Sequence, residues 1–339
     1  MDNKPHTFII AELSANHGNN LEIALETVRA AKRSGADAIK LQTYTADTIT
    51  LNVKSDLFKI QQGTHWDGLY LYDLYKDASL DWAWHKPIFE LAKELGLICF
   101  SSPFDFTAVD FLETLNCPIY KVASFEITDI ALIGYIASKG KPMIISTGIA
   151  EMEDIQLAIE TCRAAGNHDI TLLQCTSAYP AEPEDANLLT IPDLKEKFNV
   201  KTGLSDHTMG IEAPIVAVAL GAKVIEKHFI LNKSIGGPDA HFSLEETEFK
   251  QMVDSIRITE KLLGAPDYSM NNKKKKSRTF SRSLFLSQPI KKGDIFTNYN
   301  VRSVRPSTGL HPKFLNEVLG KYAKSDFEAG LPLDFDMFE

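Results

Sequence analysis

Short apolar runs alternate along the chain with longer segments of helical period. The runs are "TFIIAEL" (7–13), "AIKLQTY" (38–44), "LICFSSP" (97–103), "PIYKVAS" (118–124), "PMIISTG" (142–148), "ITLLQCT" (170–176), "VKTGLSD" (200–206) and "KVIEKHF" (223–229). Each spans seven residues, too short for a typical helix, and most carry Ile, Val or Phe. Their near-continuous hydrophobicity is that of strands covered on both faces, as in parallel sheets. Between them, residues 20–34 place Leu21, Ala24, Leu25, Val28 and Ala31 on one stripe, which predicts a helix stopped by Gly35. Gly96, Gly140, Gly166 and Gly221 punctuate later helical stretches in the same way.

Eight strands with intervening helices predict an α/β protein, a (β/α)8 TIM barrel over residues 1–263. An open doubly wound sheet gives a similar string. The count of eight and the absence of GxGxxG after the first strand favour the barrel. The rhythm breaks once, at residues 45–79, a long insertion carrying Trp66, Tyr70, Tyr72 and Tyr75 with Tyr44 just before it. It is either a flap over the barrel mouth or a structural decoration. Residues 264–280 are polar and rich in turn residues and read as a linker. Their lysine run, 273–276, reads as a solvated segment, with phosphate binding as the rival. Residues 281–339 read as a small second domain of short strands and Pro/Gly turns.

Composition narrows the class. The chain has 339 residues, 44% hydrophobic and 24% charged, which supports a large core and excludes wholesale disorder. A formal net charge of -9 argues against nucleic-acid binding. Cys99, Cys117, Cys162 and Cys175 form no CxxC pair and fit reduced thiols. The start "MDNKPHTFIIAEL" lacks a basic region before a long apolar core, and no apolar stretch approaches the ~20 residues of a membrane span. The expectation is a soluble cytoplasmic protein with neither a membrane nor a nucleic acid as partner.

In a barrel the chemistry sits where the strands end. Following the runs in order, the polar residues there are Glu12, Asn16 and His17; Lys40 and Gln42; Ser101 and Ser102; Lys121, Ser124 and Glu126; Ser146 and Thr147; Thr176, Ser177 and Tyr179; Ser205, Asp206 and His207; Glu226 and His228. Lysine inside an apolar strand is rarely fully buried without reason. Lys40 and Lys121 are either structural ion-pair partners or, with the serines, donors to a phosphate or carboxylate. His207 and His228, on consecutive strands, are either a shared ligand pair for a divalent metal or a general acid/base pair. Glu126 shares the alternation phase of Ser124 but not of Lys121. Asp206 either orients His207 or caps the helix that begins near Ile211.

These strand ends together resemble the sialic acid synthase (nonulosonate synthase) family. The stretches that carry the resemblance are "FIIAELSANHG", "IKLQTY", "FSSPFD", "YKVASFE", "IISTGIA", "LSDHT" and "VIEKHF", spread through the barrel region. Within the family, "AELSANH", "IKLQTYTADTITL", "GTHWDGLYLYDLYKDA" and "CTSAYPA" are most similar to the branch that makes pseudaminic acid. Ser177 stands where true sialic acid synthases more often carry Asn. The resemblance implies a TIM barrel followed by a small antifreeze-like (SAF) domain, and an enzyme that joins phosphoenolpyruvate to an amino-sugar aldehyde with water, releasing phosphate by C–O cleavage. It implies that Lys40, Ser102, Lys121, Ser124, Ser146, Ser177 and Ser205 hold phosphoenolpyruvate. His207 and His228 are implied as ligands of Mn²⁺ or Mg²⁺, which polarises the aldehyde. Glu126 is implied to manage water and proton transfer, with Glu12 as a further catalytic candidate. Glu12, Gln42, Tyr179 and Asp239 are implied as sugar contacts, joined by Arg305 and Phe285 of the second domain across a domain-swapped homodimer. N-acetylneuraminic or legionaminic acid synthesis is the alternative within the class. A metal-dependent barrel hydrolase or aldolase, and a carbohydrate- or ice-binding protein acting through residues 281–339, are the alternatives outside it.

Overall fold

Each apolar run contains a strand in the computed structural model, which describes residues 6–61 and 66–339. The strands are β1 (Phe8–Glu12), β2 (Ala38–Thr43), β3 (Ile98–Pro103), β4 (Tyr120–Val122), β5 (Met143–Ser146), β6 (Ile170–Cys175), β7 (Lys201–Asp206) and β8 (Val224–His228). They close in sequence order into one parallel barrel, with β8 returning to β1. The rungs that matter near the mouth are Glu12 opposite both Lys40 and His228, Gln42 opposite Ser102, Cys175 opposite Ser205, and Ser205 opposite Glu226.

Helices cover the outside: α1 (Leu21–Arg33), α2 (Ala46–Ile49), α3 (Leu71–Ala78), α4 (Trp82–Glu94), α5 (Phe106–Thr114), α6 (Ile130–Ala137), α7 (Met152–Ala164), α8 (Thr190–Phe198), α9 (Glu212–Ala219) and α10 (Glu246–Leu263). The expected 20–34 helix is α1, with Asn20 as its N-cap accepting from the Glu22 and Ile23 amides. Gly35, Gly96, Gly140, Gly166 and Gly221 all have positive φ, between 68° and 102°, which is why glycine stands at each of these helix ends. The apolar faces of α1 and α10 meet the outward face of the sheet through Ala24, Val28, Phe249 and Met252. Outward side chains make this core, so the inward ones at the strand ends are free to be polar.

Insertion 45–79 contains α2, a 3₁₀ turn (Asp56–Phe58) and α3. Its "GTHW" segment falls partly on residues 62–65, outside the described residues. Trp66 lies 6.2 Å from the Tyr179 ring beyond β6, while Tyr75 lies 6.0 Å from Tyr44 after β2. The insertion thus reaches two separate strand-end loops, as a flap does.

The chain divides into two compact units, Met1–Gly264 and Ala265–Glu339. The stretch expected as a linker is not irregular throughout. It holds α11 (Asn272–Arg278), capped by the Asn271 side chain on the Lys274 amide, and the lysine run forms most of this exposed helix. Polar composition suggested a linker, but lysine is a good helix former and Asn a good cap, so a capped turn forms without an apolar face. In the second unit β9 (Ser283–Leu286) pairs antiparallel with β10 (Val301–Val304), followed by α12 (Leu315–Val318). Leu284, Leu286, Phe296, Val301, Val318 and Leu333 form its own core. No helix among the described residues is long and apolar enough to cross a membrane. All four cysteines are buried and free.

Candidate active site

The mouth of the barrel collects an unusual density of buried charge. Lys40, Lys121, Glu12 and Glu226 are each at most 5% exposed. Lys40 Nζ sits 2.7 Å from Glu12 Oε2 and 3.8 Å from Glu226 Oε1, and donates to Ser102 Oγ at 3.3 Å. Gln42 Nε2 donates to Glu12 Oε1 at 3.1 Å, and Ser205 Oγ to Glu226 Oε1 at 3.0 Å. Burial pushes the Glu12 carboxyl up to about 7 against the pull of Lys40. Burial also disfavours charge on Glu226 and on Lys40. Lys40 and Lys121 outweigh it for Glu226 and keep that carboxyl below its usual range. Glu12 and Glu226 outweigh it for Lys40, which is held above its usual range.

Lys121 differs from Lys40. Its Nζ donates to Ser146 Oγ at 2.7 Å and to the Val122 carbonyl at 2.9 Å. No carboxylate lies within ion-pair distance of it among the described residues, and burial lowers its pKa. Beside it is a pocket of hydroxyls. Ser177 Oγ donates to Ser124 Oγ at 2.9 Å, and Ser124 Oγ accepts the Ile149 amide at 3.0 Å. Gly148 keeps this pocket open: a Cβ there would collide with Ser177 Oγ and lie 2.9 Å from Ser124 Oγ and 3.1 Å from Cys175 Sγ. A buried ammonium with no carboxylate in contact, facing hydroxyls and a side-chain-free backbone, suits an anion.

The two histidines lie side by side, ring centroids 5.4 Å apart. His207 Nδ1 donates to the Thr176 carbonyl at 2.9 Å; burial disfavours charge on this ring, but the Cys175 thiol and that carbonyl outweigh it and hold the imidazole above its usual range. His228 Nδ1 is buried with no hydrogen-bond partner among the described residues; Asp239 Oδ2 is 3.8 Å away. Burial, reinforced by His207, holds the His228 imidazole neutral, well below its usual range. Tyr179 (4.3 Å from the His207 ring) and Phe242 (4.9 Å from the His228 ring) wall the pair. Among the described residues no group of three or more His, Cys, Asp or Glu is arranged to enclose a metal ion. The unsatisfied His228 nitrogen beside the His207 ring fits an open site, where substrate or water supplies the remaining ligands.

Glu126 stands apart from the strand alternation. β4 ends at Val122, and Ser124–Glu126 form a 3₁₀ turn, so the period-two phase does not carry through. Its Oε2 is buried with no hydrogen-bond partner among the described residues, and burial pushes the carboxyl up to about 7. Lys121 pulls it down, Asp129 pushes it up, and Tyr75 of the insertion faces it.

Several strand-end residues are used elsewhere. Ser101 Oγ bonds Thr43 Oγ1 at 2.6 Å, which bonds His85 Nε2, a network on the outer face. Thr147 and Thr176 hydroxyls donate to the Leu173 and Asp185 carbonyls. Asn16 bonds the Phe229 carbonyl and Ser243, and His17 Nε2 lies 3.3 Å from the Ala78 carbonyl. Asp206 neither bonds the His207 ring nor caps α9; its partners are Thr208 and Lys227. Phe285 is buried on β9 and Arg305 is exposed just past β10, both in the second unit. Gly148, Lys227 and Phe242 were not singled out from sequence. Only Lys227 had a readable signal there, a third lysine within an apolar run.

The model of the NeuB family matches residues 27–268, and that of the SAF domain matches residues 281–339. The chain is 52% identical over 323 residues to pseudaminic acid synthase of Campylobacter jejuni, covering 95% of this chain and 94% of that one. It is 52% identical to pseudaminic acid synthase of Helicobacter pylori, covering 98% and 97%. The crystal structure of N-acetylneuraminic acid (sialic acid) synthetase from Leptospira borgpetersenii superposes with a TM-score of 0.72 at 29% identity, covering 82% of this chain and 93% of that one. The chain belongs to the NeuB family.

Proposed function

We propose that this chain is a pseudaminic acid synthase, which condenses phosphoenolpyruvate with 2,4-diacetamido-2,4,6-trideoxy-L-altrose and water to give pseudaminic acid and phosphate. The 52% identity to two synthases of that name supports the choice of sugar. The observation that carries the chemistry is Lys121, a buried ammonium without an ion-pair partner among the described residues, beside the Ser124–Ser177 hydroxyl pair that Gly148 leaves accessible.

In this reaction C3 of the enol phosphate bonds the aldehyde carbon, C2 takes up water, and the C2–O bond to phosphate breaks. The phosphate end rests on Lys121, Ser124, Ser146 and Ser177, which must hold it while charge shifts onto the departing oxygen. Lys40, Ser102 and Ser205 line the same mouth as further anion donors. Glu12, Gln42, Tyr179 and Asp239 receive the sugar. Burial inside the barrel strengthens each of these contacts, and placing two small substrates together contributes to the rate in its own right. His207 and His228 would hold a divalent cation, Mn²⁺ or Mg²⁺, which supplies Lewis-acid polarisation of the aldehyde. Arg305, exposed just past β10, would reach the sugar from the second unit of a partner chain, with Phe285, buried on β9, behind it.

The test is phosphate release from phosphoenolpyruvate with Mn²⁺ and each of three aldehyde sugars. Turnover with the altrose derivative well above N-acetylmannosamine and the legionaminic precursor is expected. A preference for either of the others moves the assignment within the family. No release with any of the three rejects it.

Glu126 gives a pH prediction. Its carboxyl titrates at about 7, so the carboxylate that accepts a proton is populated above that pH and lost below it. The wild-type kcat is expected to fall as pH drops through about 7. Glu12 titrates in the same range, so the comparison needs both variants: Glu126→Gln is expected to drop the plateau about 10²–10⁴-fold and leave only the limb that Glu12→Gln removes. A Glu126→Gln plateau equal to wild type removes Glu126 from proton transfer.

A further inference from the structure

The strand ends that carry the two histidines are tied on both faces, at two consecutive rungs. Inward, Ser205 bonds Glu226. Outward, on the same two strands, Asp206 opposes Lys227, and the two side chains form an ion pair at 2.5 Å with exposures of 2% and 0%. The pair does not stop at itself. Asp206 Oδ1 accepts both the Thr208 amide at 3.0 Å and the Thr208 hydroxyl at 2.9 Å, and Lys227 Nζ donates to the Thr208 carbonyl. His207 therefore sits between two residues locked to Lys227, while His228 is the residue next to that lysine. The His207 carbonyl accepts the Ala181 amide at 3.0 Å, and its ring is set by Thr176.

Two opposite charges sealed between sheet and helices are a poor device for stability alone. Well-packed apolar residues of the same volume serve as well or better. What the pair adds is geometry: a directional bond across β7 and β8 and three bonds to the turn behind His207. Parallel strands, with slanted and slightly weaker pairing, are the place where such a tie matters.

We propose that Asp206 and Lys227 are positioning residues for the proposed metal ligands, fixing the separation and aim of His207 and His228 through a buried ion pair that also clamps Thr208. The inference rests on the metal role given to the histidines under the proposed function. The chemistry of the tie is independent of which divalent cation is bound.

The experiment is titration of the apo protein with Mn²⁺ alone, followed by calorimetry, beside thermal melting and steady-state kinetics. The informative variant is Asp206→Leu/Lys227→Met, which removes both charges together and leaves none buried alone. It is expected to melt cooperatively, bind Mn²⁺ about 10–100-fold more weakly than wild type and lose kcat more than it raises the KM for phosphoenolpyruvate. Lys227→Arg, which keeps the pair, is expected to retain most of the affinity. Should the apolar double variant not fold, Asp206→Asn/Lys227→Gln keeps hydrogen-bonding groups without charge and is expected to weaken Mn²⁺ about 10-fold, the lower end of that range. Either folded double variant binding Mn²⁺ as tightly as wild type overturns the proposal. Wild-type protein that takes up no Mn²⁺ instead overturns the metal role itself, which separates the two failures.

Discussion

Lys121→Met is expected to lower kcat/KM for phosphoenolpyruvate about 10²–10³-fold, the loss typical of removing one preorganised donor to developing charge. It is expected at the same time to leave the melting temperature unchanged or to raise it. The two signs follow from one observation. Lys121 is 2% exposed, its ammonium is satisfied only by Ser146 and the Val122 carbonyl, and no carboxylate pairs with it among the described residues. Removing a buried charge with no carboxylate in contact relieves a desolvation penalty that offsets the weaker field on Glu226, which Lys40 still compensates. Lys40 supplies the contrast. It compensates Glu12 and Glu226, so Lys40→Met strands both carboxylates and is expected to cost about 3–5 kcal/mol of stability as well as activity. Thermal melts of the two variants, read beside their kinetics, separate a lysine kept for an anionic substrate from one kept for the barrel. A Lys121→Met protein that melts as badly as Lys40→Met contradicts the substrate role. The same variant tests the swapped arrangement of the second unit. Mixed with Arg305→Ala, it is expected to regain activity, since a heterodimer carries one intact site; no recovery removes Arg305 from the partner's site.

The barrel was legible because its signals are repetitive. Eight seven-residue runs separated by helical stripes mark alternating strands and helices, the count of eight and the lack of GxGxxG favour closure over an open sheet, and every glycine expected at a helix end adopts positive φ. That the strand ends gather polar side chains was legible for a related reason, although whether a strand lysine meets a carboxylate or a substrate was not. Three features escaped, each for a physical reason. Glu126 could not be placed by alternation because β4 is only three residues long and a 3₁₀ turn follows it. Gly148 carries no side chain, and its importance lies in what a Cβ would displace, which only three dimensions reveal. Lys227 carries the same sequence signal as Lys121 but points the other way. It alternates out of phase with Glu226 and His228, and its partner Asp206 lies on another strand. The helix inside 264–280 was not foreseen because composition reports polarity, and a short exposed helix is polar all round.

His228→Ala and His207→Ala are both expected to lower metal-dependent turnover about 10³-fold, the several kcal/mol that Lewis-acid polarisation contributes. Their side effects should differ. The His207 ring is bonded to the Thr176 carbonyl, so His207→Ala also removes one tie to the loop after β6, while the backbone bond from the Ala181 amide remains. The His228 ring nitrogen Nδ1 has no hydrogen-bond partner among the described residues and the ring packs edge-on to Phe242, so His228→Ala gives up little besides a cavity. His228→Ala is therefore the cleaner probe of the metal, and its melting temperature should fall less. Chelation provides the independent arm. Wild-type enzyme stripped of metal is expected to drop to the level of His228→Ala, and added Mn²⁺ to restore the wild type alone. Full activity of the wild type in excess chelator would take the metal away from both histidines. The pair would then act as an acid/base couple, and the neutral imidazole of His228, held by burial, would be the acceptor.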